Sequence, residues 1–369
     1  MIYIYTFAAS IFFAYLAERS KNKGVIVLCS VISILIPSIL GGLRAYGVGT
    51  DTMVYGRPGY EMAMASPNFA YYMSNYHTEP GFGFLTYFVA KIFGTENWCY
   101  FFYQLITISC LYIGAWKHRN VTNFLIWMLC FFLMHYTGTW NTMRQSLAAS
   151  IIFMGLDTLE RKEYGKFTLY VAIATLFHYS AVSVIFSMGL SHYVVTSEKF
   201  RNDVFFRTGI ICCVLLACFM LRNIMLALLQ YVSFLGKYEA YFSGKYAENS
   251  GSNSFSTIMF GEIILLILYT QGAKKNFTKT GNYSYNLNFY LCNIFFVYIY
   301  QIFIKAIATR VCNYSFIVNT ILLSQLPSFI KEKNLKLMVG IILFVVMIFF
   351  RYLAWARWDF PTWPYRSIL

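Results

Sequence analysis

The stretch LMVGIILFVVMIFF at residues 337–350 decides the fold, because it is a continuous apolar run with no charged side chain. A second apolar run, interrupted by Glu262, covers residues 258–268. Strands of a transmembrane barrel would instead alternate apolar and polar residues over segments of roughly ten residues. Continuous runs of this kind are typical of helices that span a bilayer.

Composition extends this interpretation to the whole chain of 369 residues. It is 59% hydrophobic, 20% aromatic and only 12% charged, with a mean hydropathy of +0.56. The charged fraction is roughly half that of an average soluble domain, which excludes a soluble enzyme. At roughly 20 residues per helix, we expect an all-α polytopic integral membrane protein. Residues 1–369 then form a single transmembrane domain of about ten to twelve transmembrane helices, with room left for connectors.

Apolar runs predict where these helices lie. The expected spans are near 2–17, 24–40, 98–115, 121–136, 143–158, 166–178, 180–195, 205–222, 255–271, 287–304, 307–330 and 336–354. A further apolar piece at 82–94 is too short for a full crossing, and we interpret it as a re-entrant or interfacial segment.

The net charge is +14, and the positions of the basic residues predict how the chain is oriented in the membrane. More than half of the 29 Lys and Arg residues lie in six short connectors: 19–23, 117–119, 161–166, 199–207, 274–279 and 331–336. Short connectors rich in Lys and Arg stay on the cytoplasmic side of the membrane. The basic residues alternate with apolar runs and form no basic face on a soluble module, so a nucleic-acid partner is not expected. Both termini then face outward, as do two long connectors. We interpret 41–81 as a periplasmic catalytic loop and 223–254 as an outward flap.

Ionisable residues outside the basic connectors are candidates for function, because charges at membrane depth are costly. Arg44, Asp51 and Tyr55 follow the second span in a glycine-rich segment, and Glu79 directly precedes a proline. Each has a simpler alternative: a capped turn, a helix cap or a snorkelling side chain.

Three further candidates lie at the expected outward ends of spans. Arg144 stands with Gln145 at a helix start, where a guanidinium and free N–H groups together favour a dianionic phosphate. His178, followed by Tyr179, lies between two apolar runs, and Arg310 has Tyr314 one turn later. An interfacial anchor or a satisfied core histidine are the alternatives.

Taken together, these arginines, carboxylates and the histidine suit chemistry on a lipid-linked phosphate or pyrophosphate at the outward-facing surface of the membrane. We expect Arg144 and Arg310 to stabilise the leaving group. His178 ranks first as the general base, ahead of Asp51 and Glu79, since an unperturbed imidazole titrates nearest neutrality. No metal-ligand spacing, Walker loop or G-x-S-x-G motif occurs, so we expect metal-free chemistry without a cofactor.

Five segments carry a family resemblance. In this order and at this spacing, the chain resembles the EpsG-type family of Wzy-class polysaccharide polymerases over roughly residues 40–320. The segments are GLRAYGVGTDTMVYGRPGY at 42–60, TEPGFGFL at 78–85, NTMRQSLAASI at 141–151, LFHYSAV at 176–182 and ATRVCNYSF at 308–316. The family's motifs fall on Arg44, Gly49, Asp51, Tyr55, Glu79, Arg144, Gln145, His178 and Ser180, with Arg310 a looser match.

The resemblance implies a multi-pass protein of the bacterial cell inner membrane with a GT-C-like fold. It implies an O-antigen or exopolysaccharide polymerase that joins oligosaccharide repeat units linked to undecaprenyl pyrophosphate, on the periplasmic face. Its partners would be that lipid-linked oligosaccharide, membrane lipid and, where chain length is controlled, a chain-length regulator protein. Transfer would proceed with inversion or retention; the sequence leaves this open.

Three other functions stay open at this stage. An O-antigen ligase uses the same donor linkage with a different acceptor. A flippase or exporter of lipid-linked oligosaccharide would place cations in a central cavity between pseudo-symmetric halves, which are not evident here. A membrane O-acyltransferase would make His178 dominant and the arginines incidental.

Overall fold

The computed structural model describes residues 1–119, 122–206, 208–210, 212–213 and 216, single positions between 313 and 330, 332–357, 362 and 364–368. The described residues are helical and contain no strand, as the sequence predicts. Two compact units are present, Met1–Val182 with Thr320–Leu369, and Ser183–Asn319. The spans expected at 255–271 and 287–304, most of the one at 205–222 and the flap at 223–254 lie outside the described residues.

The first unit is a bundle of antiparallel and parallel helices. Its α-helices are α1 Ile2–Arg19, α2 Lys23–Gly42, α3 Arg57–Ala65, α4 Phe69–Asn75, α5 Pro80–Phe93, α6 Glu96–Lys117, α7 Phe124–Met134, α8 Gly138–Asn141, α9 Met143–Glu160 and α10 Tyr164–Thr175. In the second unit lie α11 Ser191–Val195 and α12 Glu198–Asn202. The C-terminal helix α13, Lys333–Arg357, belongs to the first unit.

Three of the described helices are long and apolar enough to cross a membrane: Lys23–Gly42, Glu96–Lys117 and Lys333–Leu353. On α13, side chains such as Leu337 and Val345 are exposed, as lipid-facing residues would be. Helix α5 has 14 residues, which agrees with a segment too short to span. The number of spans predicted from the sequence is therefore reached only in part by the described helices.

The structure adds local detail to two predicted segments. Connector 41–81 contains a π-helix at Thr52–Gly56 followed by α3 and α4. The run 180–195 begins with a 3-10 turn at Tyr179–Val182. Residues 183–195 are then continuously helical, with a π-helical stretch at Ile185–Leu190 that leads into α11. The 3-10 turn begins where the N–H of Ala181 donates to the carbonyl of His178, three residues earlier.

Helix α9 lies at the centre of the first unit, and most of its side chains are buried. Glycines allow its neighbours to approach closely. Gly114 of α6 lies against Phe153, and Gly155 lies against Tyr170 of α10. Gly41 of α2 likewise packs on Gln104 of α6. Small residues at such contacts are the usual means of close helix packing in membranes.

These contacts fix the direction of the helices. Tyr100 near the start of α6 and Met143 at the start of α9 both lie against Gly56. Lys117 at the end of α6 bonds to Asp157 near the end of α9, Nζ to Oδ1 at 2.9 Å. Helices α6 and α9 are therefore parallel, whereas α2 and α10 run antiparallel to them. Consequently the basic connectors 19–23, 117–119 and 161–166 lie at one end of this unit. The starts of α6 and α9 lie at the other end.

Candidate functional site

Glu79 is the central residue of the site at the end opposite the basic connectors. It is the N-cap residue of α5 but makes no side-chain bond to that helix, and only 3% of its surface is exposed. Instead, its Oε2 accepts a hydrogen bond from Nη1 of Arg144 at 2.6 Å. Its Oε1 lies 2.8 Å from Nδ1 of His178. One carboxylate therefore joins an arginine and a histidine that lie far from it in the sequence.

Three helix ends bring these side chains together. Glu79 precedes α5, whose first residue is Pro80, and Arg144 is the second residue of α9. His178 follows α10, and its N–H donates to the carbonyl of Ala174. The two chain segments meet directly, because the N–H of Gly81 donates to the carbonyl of Leu176 at 2.7 Å. A Cβ at position 81 would lie 2.9 Å from that carbonyl oxygen, so the contact requires glycine.

The charge of Glu79 is stabilised by its partners. Burial would raise the pKa of Glu79, but the hydrogen bond from His178 and the charge of Arg144 outweigh burial and lower it to about 2. Thr78 adds a hydroxyl 3.2 Å from Oε2. Since an ionised carboxylate can only accept, Nδ1 of His178 carries the hydrogen. In the neutral form of the ring, Nε2 is then a proton acceptor. Among the described residues, the hydrogen bond given for this ring is the one at Nδ1.

Arg144 is held by Glu79 and by the ring of Tyr55. Its Cζ lies 3.7 Å from the ring centroid of Tyr55, a cation–π contact. Within the described residues, Nε is buried without a hydrogen-bond partner, and the described bond of the guanidinium runs through Nη1. The Nε–H is therefore a donor that no described group accepts. Guanidinium donors of this kind bind the oxygens of phosphate groups.

Arg44, also predicted to bind substrate, lies nearby but is almost fully buried, with 1% of its surface exposed. Its guanidinium donates to the carbonyl of Gly41 and to Oγ1 of Thr52. The rings of Tyr100 and Trp140 flank it at 4.6 and 5.3 Å. Burial lowers the pKa of Arg44 to about 10, against the raising effect of Tyr100, so it stays charged at neutral pH. This environment suits an internal cation that orders the loop.

Asp51, predicted as a catalytic residue, makes a backbone contact. Its Oδ2 accepts the N–H of Met143, the first residue of α9, at 2.8 Å. The preceding residue, Thr50, donates its N–H to Oδ1 of Asn141 at 2.9 Å. The glycine-rich segment is thereby attached to the residues just before Arg144.

The other predicted residues have these positions. Gln145 is buried beside Arg144 in α9, and Tyr179 is exposed in the 3-10 turn after His178. Tyr314 is buried in the second unit, and Arg310 lies outside the described residues. The structure thus brings Glu79, Arg144, His178 and Tyr55 into direct contact.

Two neighbours of the site were not predicted from the sequence. The Oδ1 of Asn141 accepts the N–H of Thr50. The hydroxyl of Tyr76 donates to the carbonyl of Tyr55 at 3.0 Å. Asn141 stands just before a helix start, a position where Asn commonly serves as a hydrogen-bonding residue, so its type carried a signal. Tyr76 is one of 31 tyrosines and carried none.

Comparison with known proteins gives one match. The family model described as the EpsG family matches residues 27–367, nearly the whole chain. No curated protein and no solved structure matches the chain.

Proposed function

Because the chain belongs to the EpsG family, we propose that it is a membrane glycosyltransferase that polymerises polysaccharide. Family membership supports a polymerase-like function in a membrane. The finer proposal is that it joins oligosaccharide repeat units linked to undecaprenyl pyrophosphate on the periplasmic face of the bacterial inner membrane. The observation that carries the proposal is the Glu79 carboxylate held between Arg144 and His178.

The histidine supplies the base in this proposal. The bond from C1 of the growing glycan to the diphosphate breaks while a bond from C1 to the acceptor hydroxyl oxygen forms. Nε2 of His178 takes the hydroxyl proton, and Glu79 holds the ring through Nδ1 and stabilises the imidazolium that results. A carboxylate–histidine pair of this kind fixes both the tautomer and the orientation of the base.

Arginine stabilises the leaving group. The diphosphate departs with the electron pair of the broken bond, and the guanidinium of Arg144, whose Nε–H has no partner among the described residues, supplies the donor for its oxygens. Fixed donors aimed at developing charge are worth several kcal/mol in a site shielded from water. We keep Arg310 as the second arginine of the proposal, on sequence grounds.

The arrangement disfavours the O-acyltransferase alternative, in which the arginines would be incidental. Arg144 and His178 share one carboxylate, so each depends on the same group. The ligase alternative uses the same donor chemistry and differs only in its acceptor, so it has to be separated by its product.

The test is deletion of the gene in its host, followed by separation of the surface polysaccharide on a gel. A polymerase predicts loss of the polymer ladder with retention of a lipid-A core that carries a single repeat unit. Loss of every repeat unit would instead indicate a ligase or a flippase.

Complementation then tests the site. We expect Arg144→Ala, His178→Ala and Glu79→Gln to leave the ladder absent. Two matched controls restore it: His77→Ala, an exposed histidine two residues from Glu79, and Arg161→Ala, an arginine at the opposite end of the unit. Full ladders from Arg144→Ala and His178→Ala would contradict the site assignment.

A further inference from the structure

Asp51 closes the N-terminus of α9 from a distant part of the chain. The first N–H groups of a helix have no acceptor within the helix and are normally bonded by the N-cap side chain. Here the N-cap residue is Thr142, and its side chain makes no cap bond. Its hydroxyl donates to the carbonyl of Gly138 at 3.1 Å and lies 2.9 Å from Oγ of Ser146. The carboxylate of Asp51 takes the place of the cap at Met143.

The residues before Asp51 are fixed to the same short stretch. The N–H of Thr50 donates to Oδ1 of Asn141, and its hydroxyl donates to the carbonyl of Asn141 at 3.2 Å. Gly49 has a φ of +93° and packs so closely on Trp140 that a Cβ would lie 2.7 Å from its carbonyl oxygen. Three consecutive residues therefore dock on the chain just ahead of Arg144.

The residues after Asp51 carry the aromatic surface for Arg144. The π-helix Thr52–Gly56 begins directly after Asp51 and presents the Tyr55 ring to the guanidinium. Asp51 thus lies between two elements whose alignment decides where Arg144 points. A shift of one relative to the other would move the guanidinium of Arg144.

Resting on the proposed function, we propose that Asp51 is a positioning residue for Arg144, acting as a hydrogen-bond acceptor for the N–H of Met143. Its charge also acts on the Arg144 guanidinium. The acceptor role and the charge role make opposite demands on a replacement side chain. Asn keeps an acceptor oxygen at the same distance from the backbone and loses the charge, whereas Glu keeps the charge and displaces the oxygen by one methylene group.

The experiment compares Asp51→Asn, Asp51→Glu and Asp51→Ala with Arg144→Ala and with the control His77→Ala. Each full-length protein is purified in detergent, and binding of inorganic pyrophosphate is measured by calorimetry. The polymer ladder is read in complemented cells. We expect Asp51→Asn to match the wild type in both measurements. Asp51→Glu and Asp51→Ala are expected to weaken pyrophosphate binding roughly tenfold and to shorten or remove the ladder.

Two results would overturn the positioning role of Asp51 alone. In the first, Asp51→Glu retains the Arg144-dependent binding of pyrophosphate and Asp51→Asn loses it. In the second, Asp51→Ala equals the wild type in both pyrophosphate binding and polymer ladder. The Asn and Glu variants decide the first even where Asp51→Ala does not accumulate. Equal pyrophosphate binding by the wild type and Arg144→Ala would instead overturn the assignment of Arg144 in the proposed function.

Discussion

At the scale of single residues, Glu79 uses its two oxygens for two different partners. Because Arg144 and His178 both bond to one buried carboxylate, the three side chains form one electrostatic unit. Its net formal charge is zero while the histidine is neutral and +1 once it is protonated. A group of this kind can take up one proton during reaction without leaving a buried charge unpaired.

The low pKa of Glu79 predicts how stability depends on pH. Its folded-state pKa, about 2, lies below the ordinary value of 4.5. The carboxylate therefore contributes stability that is complete above about pH 4.5 and is lost as pH falls towards 2. From these two values, we expect Glu79→Gln to cost about 3 kcal/mol at pH 7. The difference from wild type should fall to less than half of that at pH 3.

Thermal unfolding of both proteins in detergent at pH 7, 5 and 3 measures this difference. His77→Ala serves as the control and should follow the wild type at each pH. A gap between wild type and Glu79→Gln that stays constant from pH 7 to pH 3 would contradict the expected titration.

At the scale of elements, the glycine-rich segment shows two glycines with the same backbone and different surroundings. Gly47 and Gly49 have φ values of +91° and +93°. A Cβ at Gly47 would meet no atom within 4 Å, while a Cβ at Gly49 would strike the backbone of Trp140. Both positions favour glycine through conformation, but only Gly49 is required for docking on the start of α9.

This pair gives a matched prediction. We expect Gly47→Ala to lower stability by roughly 1–2 kcal/mol, the cost of a left-handed residue with a side chain. Gly49→Ala adds a clash with backbone atoms, worth roughly 1–3 kcal/mol more, and displaces Asp51 and Tyr55. Polymer ladders in complemented cells and thermal unfolding in detergent check both effects. Equal losses in the two variants would contradict the docking role of Gly49.

At the scale of the whole molecule, the C-terminal tail returns to the site end of the first unit. Residues 366–368 pair with the backbone around Arg44, since Ala45 N–H donates to Arg366 O at 2.8 Å and Ile368 N–H donates to Leu43 O at 3.0 Å. The hydroxyl of Tyr365 donates to the carbonyl of Leu40 at 2.8 Å. The tail therefore holds the segment that leaves α2 and leads to Asp51.

The tail predicts a graded loss. Tyr365→Phe removes the bond to Leu40 and should cost about 1 kcal/mol. Tyr365→Ala also removes the ring, which contacts Tyr3 and Trp140, and should cost roughly 2–4 kcal/mol more. Unfolding temperature in detergent and the polymer ladder should fall in the order wild type, Phe, Ala. An unchanged ladder and unfolding temperature in Tyr365→Ala would show that the tail does not support the site.

Membrane topology is the second prediction at this scale. The basic connectors and the site lie at opposite ends of the first unit, so the two ends should face opposite sides of the membrane. Starting from a chain whose nine cysteines are replaced by serine, we expect His77→Cys to react with an impermeant maleimide in intact cells. Lys162→Cys should react only after permeabilisation. The reverse pattern would place the site in the cytoplasm and contradict the proposed reaction on the periplasmic face.

The sequence alone predicted the helices of the first unit and singled out Glu79, Arg144 and His178, which the structure brings into contact. Helices α1, α2, α6, α9 and α13 begin and end within a few residues of the apolar runs, because a continuous apolar run records local burial in lipid or in the core. Helix α5 begins at Pro80, two residues before the predicted apolar piece 82–94, because proline is favoured at the first position of a helix.

Only the tertiary structure decided the roles of those charges. Glu79 is predicted to bind substrate, and in the structure it links Arg144 and His178. Asp51 is predicted as a catalytic residue, and in the structure its carboxylate caps α9. Arg44 became an internal cation between two aromatic rings. The local sequence shows that a charged side chain lies near the membrane, where it needs a partner that offsets its charge. Which partner compensates it depends on how helix ends meet, and the residues that meet are distant in sequence.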